Sequence, residues 1–228
     1  MRAEARRDGS DLGRTRRALR IGLALATLVG AAGIPLRLAQ LEVVSLTRPD
    51  AAAVRRAADL DAYASDLALG ELAALTLGAL LFARWTARLC DVARASGFEL
   101  STRARRVAVG SWLIPLVQLV QPPRVLASLV EGVNRARAAV VTPPSTDVGY
   151  RETARRGARA PRMAIGAWWA LWIASRGAEL AATLLGGESL GVFELRLMLD
   201  LGADALLVCA GMMAQVVVGE VDDAMRAP

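Results

Sequence analysis

A chain of 228 residues that is 54% hydrophobic, only 4% aromatic and has a mean hydropathy of +0.37 carries more apolar surface than a water-soluble core of that length needs. Its net charge of +6 rests on 28 arginines, with neither lysine nor histidine, and the arginines fall between apolar runs with no recognisable nucleic-acid-binding module beside them, so a nucleic-acid partner is not expected. The lack of histidine removes the commonest general base and zinc ligand, and no glycine-rich phosphate loop opens a helix; the expectation is no enzyme, no cofactor and no metal site.

Residues 1–20 hold seven arginines and read as a basic cytoplasmic tail. Sixteen uncharged residues follow at 21–36, opening a first span expected over about 21–45 as an uncleaved signal-anchor. Within it Gly22, Ala26 and Gly30 recur every four residues, a spacing that lets a second helix approach closely. Residues 47–66, with three arginines and four aspartates, read as an external loop with room for a short helix. The second span is expected over about 67–85, and Gly97 is its natural stop. The segment 83–106 carries six arginines.

The stretch 107–121 is apolar but only fifteen residues long, about 22 Å as a helix against the ~30 Å of a bilayer core. Pro115 interrupts it and Pro122 and Pro123 follow it. It either dips into the membrane and returns or lies at the interface, with Trp112 as an anchor. Residues 124–141 read as an amphipathic surface helix, with Leu126, Leu129, Val130 and Val133 on one stripe and arginines turned to lipid phosphates.

The third span is expected over about 163–185 and the fourth over 195–219, inside a membrane domain of residues 21–219, with a short tail at 220–228. Arginine placement then puts both termini and the central segment in the cytoplasm. The fold class is all-α: a bundle of four transmembrane helices with a short re-entrant or interfacial segment between the second and third. Cys90 and Cys209 belong at different depths, which argues against a disulfide; Cys90 is expected to react from the cytoplasmic side and Cys209 hardly at all.

Charge inside the spans marks a candidate polar cluster. Arg37, Glu71, Arg176, Glu179, Asp200 and Asp204 all fall in the outer halves of their segments, and ionised groups there should face inward and pair. They suit either interhelical ion pairs or a polar cavity. Two functions are therefore carried forward: a non-catalytic binding or scaffolding module using its cytoplasmic arginine face, and a small transporter or channel subunit using the outer cluster. The partners expected are anionic lipid headgroups, with a homo-oligomer or a protein partner served by the small-residue faces.

One family pattern is visible. Trp85, Arg88 and Asp91, then Trp112, Pro115, Gln118 and Pro122, then the pair Trp168–Trp169, occur in that order. This resembles the bacterial multi-pass membrane family known as domain of unknown function 4328, over roughly residues 67–219. Asp91 and Gln118 stand where that family usually has asparagine. The resemblance implies a multi-pass protein of the bacterial cytoplasmic membrane and brings no activity or cofactor with it.

Overall fold

The computed structural model describes residues 2–46, 50–95, 97–98, 101–112, 114, 117, 120–141, 147–187 and 189–226, with side chains omitted at 2–10, 102–104, 136–141, 147–158 and 226. The described residues form six helices and no strand: α1 (Arg2–Val44), α2 (Ala51–Ala95), α3 (Thr102–Gly110), α4 (Gln121–Val141), α5 (Asp147–Leu184) and α6 (Leu190–Arg226).

The helices run well past the apolar stretches that announce them. Residues 51–66 are the first turns of α2 rather than a loop, because Asp50 caps them: its Oδ1 accepts from the Ala53 amide at 2.8 Å, and the alanine-rich sequence carries the helix on. The basic N-terminal segment and the C-terminal segment are likewise helical, as parts of α1 and α6. The end of α2 is as expected. Gly97 adopts φ +83°, its amide bonds Arg94 O at 3.1 Å and the Phe98 amide bonds Ala93 O at 3.0 Å, the paired bonds of a Schellman stop.

Among the described residues, three helices are long and apolar enough to cross a membrane: Asp11–Val44 of α1, Ala51–Ala95 of α2 and Leu190–Met225 of α6. This is a multi-pass pattern with one span fewer than expected. The average over α5 falls short because Ser175, Arg176 and Glu179 lie inside its apolar run.

The chain divides into two compact units. The first comprises Met1–Leu23, Leu77–Trp169 and Met213–Pro228; the second comprises Ala24–Thr76 and Ala170–Met212.

The first unit has a well-filled core. Leu19, Trp85, Leu89, Leu126, Val133 and Val217 are fully buried in it. The apolar stripe of α4 is spent here, so Leu126, Leu129, Val130 and Val133 face protein rather than lipid. Phe98 lies across α4 at Gly132, where any Cβ would collide with its ring. Trp112 is not a surface anchor either: it is 3% exposed, stacks on Phe82 at 4.5 Å between centroids, and donates its indole N–H to Thr86 Oγ1 at 2.9 Å. Leu113, Pro115, Leu116, Gln118 and Leu119 lie outside the described residues. Cys90 is completely buried, against its expected reactivity from the cytoplasmic side, and Cys209 is exposed; both are free.

The second unit buries mainly small residues. Gly30 lies under Leu207 and Gly33 under Asp204. The C-terminal end of α5 is closed by Arg196, which donates from Nε to Ala182 O at 3.1 Å and from Nη2 to Leu185 O.

Candidate functional site

The six charged residues singled out by sequence all belong to the second unit, contributed by α1, α2, α5 and α6. Arg37 Nε lies 3.8 Å from Asp204 Oδ2. The same guanidinium donates from Nη1 to Gln40 Oε1 at 3.0 Å, and Gln40 Nε2 donates to Asp61 Oδ1 at 3.0 Å. Arg176 Nη1 pairs with Glu179 Oε2 at 2.5 Å, one turn along α5. Its Nη2 donates to Ser175 Oγ at 3.1 Å, and that hydroxyl donates to Ala203 O at 3.0 Å, tying α5 to α6.

Glu71 and Asp200 complete the group without touching it. Neither has a hydrogen bond or ion pair with a described residue. Each is nonetheless within electrostatic reach of the others: Glu71 of Arg176, Glu179, Arg37 and Asp200, and Asp200 of Arg37, Glu179 and Arg196. Asp204 is 8% exposed, and its Oδ2 has no hydrogen bond. It fits because residue 33 is glycine; a Cβ there would overlap its carboxylate.

Sequence reasoning missed Gln40, Asp61, Ser175, Arg196 and Gly33. Gln40 could have been found, since it follows Arg37 by one helical turn. Asp61 was hidden by reading its segment as a loop.

The family-pattern residues that the structure describes meet in the first unit instead. Arg88 reaches Asp11 on α1 at 3.3 Å and Asp91 at 3.8 Å, and Asp91 forms an ion pair with Arg105 of α3 at 3.3 Å. Phe82 stacks on both Trp112 and Trp168, the latter at 5.2 Å, and packs edge-on against Trp85 at 6.0 Å. Trp169 packs edge-on to Trp168 at 5.2 Å, and Pro122 is buried. Here the pattern specifies an aromatic core and an ionic tie between α1, α2 and α3.

Charge separates the two regions. By sequence, the first unit has 22 arginines against 11 acids and the second 6 arginines against 11 acids. Among the described residues no three of His, Cys, Asp and Glu come close enough together to hold a metal ion.

A family model described as Domain of unknown function (DUF4328) matches residues 47–223. No curated protein and no solved structure matches the chain.

Proposed function

The chain belongs to the family described as Domain of unknown function (DUF4328), and from that premise we propose a non-catalytic, four-span module of the bacterial cytoplasmic membrane. Its first unit faces the cytoplasm and engages anionic lipid headgroups. The observation that carries this reading is the charge segregation between the units, since arginine is retained on the cytoplasmic side and attracted to acidic headgroups there. Arg17, Arg84, Arg94, Arg106, Arg124 and Arg159 are all exposed on that unit.

The fourth span in this reading is α5. From Met163 to Leu184 its exposed positions are apolar, among them Ile173, Gly177 and Leu180, with Thr183 the one polar exception. Arg176 and Glu179 are only partly exposed on the same helix. That run is about 33 Å long at 1.5 Å per residue, enough for a bilayer core of ~30 Å.

The test is lipid retention by the purified full-length protein, read by native mass spectrometry. Phosphatidylglycerol should be retained in preference to phosphatidylcholine, and replacing Arg17, Arg84 and Arg124 with glutamine should abolish the preference. Equal retention of the two lipids sinks the headgroup reading. For orientation, a cysteine at Ser128 should label only in inverted vesicles and one at Ser65 only from outside intact cells.

A second reading, a small transporter or channel subunit, is favoured by one observation: Glu71 and Asp200, on helices long enough to span, make no ion pair with a described residue. Solute flux in liposomes, lost in Asp204→Ala while the protein still folds, would support it over the first.

A further inference from the structure

We propose that α3 is a salt-sensitive strap over Cys90, latched to α2 by the Arg105–Asp91 ion pair and able to lift while the core beneath it stays packed. The device does not depend on what the first unit binds.

α3 cannot hold its place by its own stability. It has nine residues, and isolated helices that short are marginal in water. Over residues 105–110 only Ala108 is buried, while Arg106 and Val107 are exposed, so little apolar burial pins the helix down. Before it the chain turns at Gly97, with φ +83°. After it Trp112 is locked into the core by its stack on Phe82 and its hydrogen bond to Thr86.

Charge ties α3 to α2. Asp91 Oδ1 lies 3.3 Å from Arg105 Nε, and Asp91 Oδ2 lies 3.8 Å from Arg88 Nη1. Arg88 Nη2 continues to Asp11 Oδ2 at 3.3 Å, and Asp11 Oδ1 to Arg14. Each aspartate thus spends its two oxygens on two different arginines. The side chains of Asp11, Arg88, Asp91 and Arg105 are each between 35% and 38% exposed, so dissolved ions reach every one of them. Pairs this exposed hold weakly, and salt screens them: the Debye length falls from about 10 Å at 0.1 M to about 3 Å at 1 M. The stack and hydrogen bond of Trp112 are buried and carry no net charge, so salt leaves them in place.

Cys90 lies under the strap. α3 meets α2 at position 91 through Arg105, and the residue soon after it, Trp112, meets α2 at 82 and 86, so the chain passes Cys90 between these points. Cys90 is completely buried. Burial pushes its thiol up to about 11, and the guanidinium of Arg105 is the largest electrostatic influence opposing that rise.

The test is the rate at which N-ethylmaleimide labels Cys90 in full-length protein carrying Cys209→Ser, in non-ionic detergent at fixed pH, from about 0.1 M to about 1 M KCl. The rate should rise about three- to fivefold over the series, the scale set by one half-exposed ion pair. Arg105→Gln should label that much faster already at low salt and lose the salt dependence. Electrostatics alone predicts the opposite sign, because screening or removing a nearby positive charge disfavours the reactive thiolate. Arg94→Gln removes another positive charge near the thiol but keeps the latch, and should label no faster. Tryptophan emission, which reports the stack of Phe82 with Trp112 and Trp168, should stay constant throughout. The KCl series decides by itself if Arg105→Gln does not fold. A rate that fails to rise with salt or in Arg105→Gln, equal acceleration in Arg94→Gln, or tryptophan emission that changes in step with labelling overturns the proposal.

Discussion

The two units of this protein are built on opposite rules. Of the 26 buried apolar residues among those described, 22 belong to the first unit, and they include leucines, valines and three tryptophans. The second contributes Ala182, Leu197, Ala203 and Ala210. Its large apolar side chains point outward: sixteen of the 24 that are exposed, including Leu28, Leu69, Leu72 and Leu184, belong to it. The first unit is thus organised as proteins in water are, by apolar burial. The second hides glycine, alanine and ion-paired charge and shows leucine, the pattern expected where lipid replaces water and burial of apolar area no longer drives association. The difference teaches that one chain can switch its folding logic along a single helix: α2 exposes Leu69 and Leu72 and buries Trp85 and Leu89.

The sharpest way to break this contrast is Trp85→Ala. Trp85 is fully buried in the first unit, and its removal should destabilise the protein by about 4 kcal/mol in chemical or thermal unfolding. A cost near zero would mean that the first unit lacks a water-type core. Next comes Gly33→Ala in the second unit, where close packing rather than apolar area is at stake. The new methyl must displace the Asp204 carboxylate, at a cost of about 2 kcal/mol. Its control, Gly78→Ala in open space on α2, should instead stabilise by ~0.5–1 kcal/mol through helix propensity. The smallest effect is expected for Leu72→Ala. Leu72 is 63% exposed, so its truncation should change stability by less than about 0.5 kcal/mol. A loss of several kcal/mol there would show that Leu72 is covered by a further surface, and that the second unit is not lipid-facing.

What was legible in the sequence follows the same division. The apolar runs, the stop at Gly97 and the grouping of Arg37, Glu71, Arg176, Glu179, Asp200 and Asp204 could be read because charge and periodicity report depth directly. Helix length could not. The segment beginning at Ala51 carries no apolar stripe, and only the Asp50 cap and its alanines betray a helix. Residue preference alone makes Trp112 a membrane anchor, whereas the deciding factors are Phe82 and Thr86, distant in sequence. The stripe of α4 was equally visible, but periodicity says that a face is covered and not by what. Hydropathy averaged around α5 conceals the outward apolar face of that helix for the same reason.

The Arg37–Asp204 contact, and the Arg16 contact to Asp222 Oδ2 in the first unit, carry one more implication. Both arginines precede residue 47, whereas both aspartates lie inside the matched family region. Two of the least exposed acids of the recognisable domain are thus answered from outside its borders, so similarity and electrostatic self-sufficiency mark out different lengths of chain. Inheritance should respect the longer one. Relatives that lack basic residues at the equivalents of 16 and 37 should also have traded Asp222 and Asp204 for neutral side chains, because a deeply buried carboxylate tolerates the loss of its counter-ion poorly.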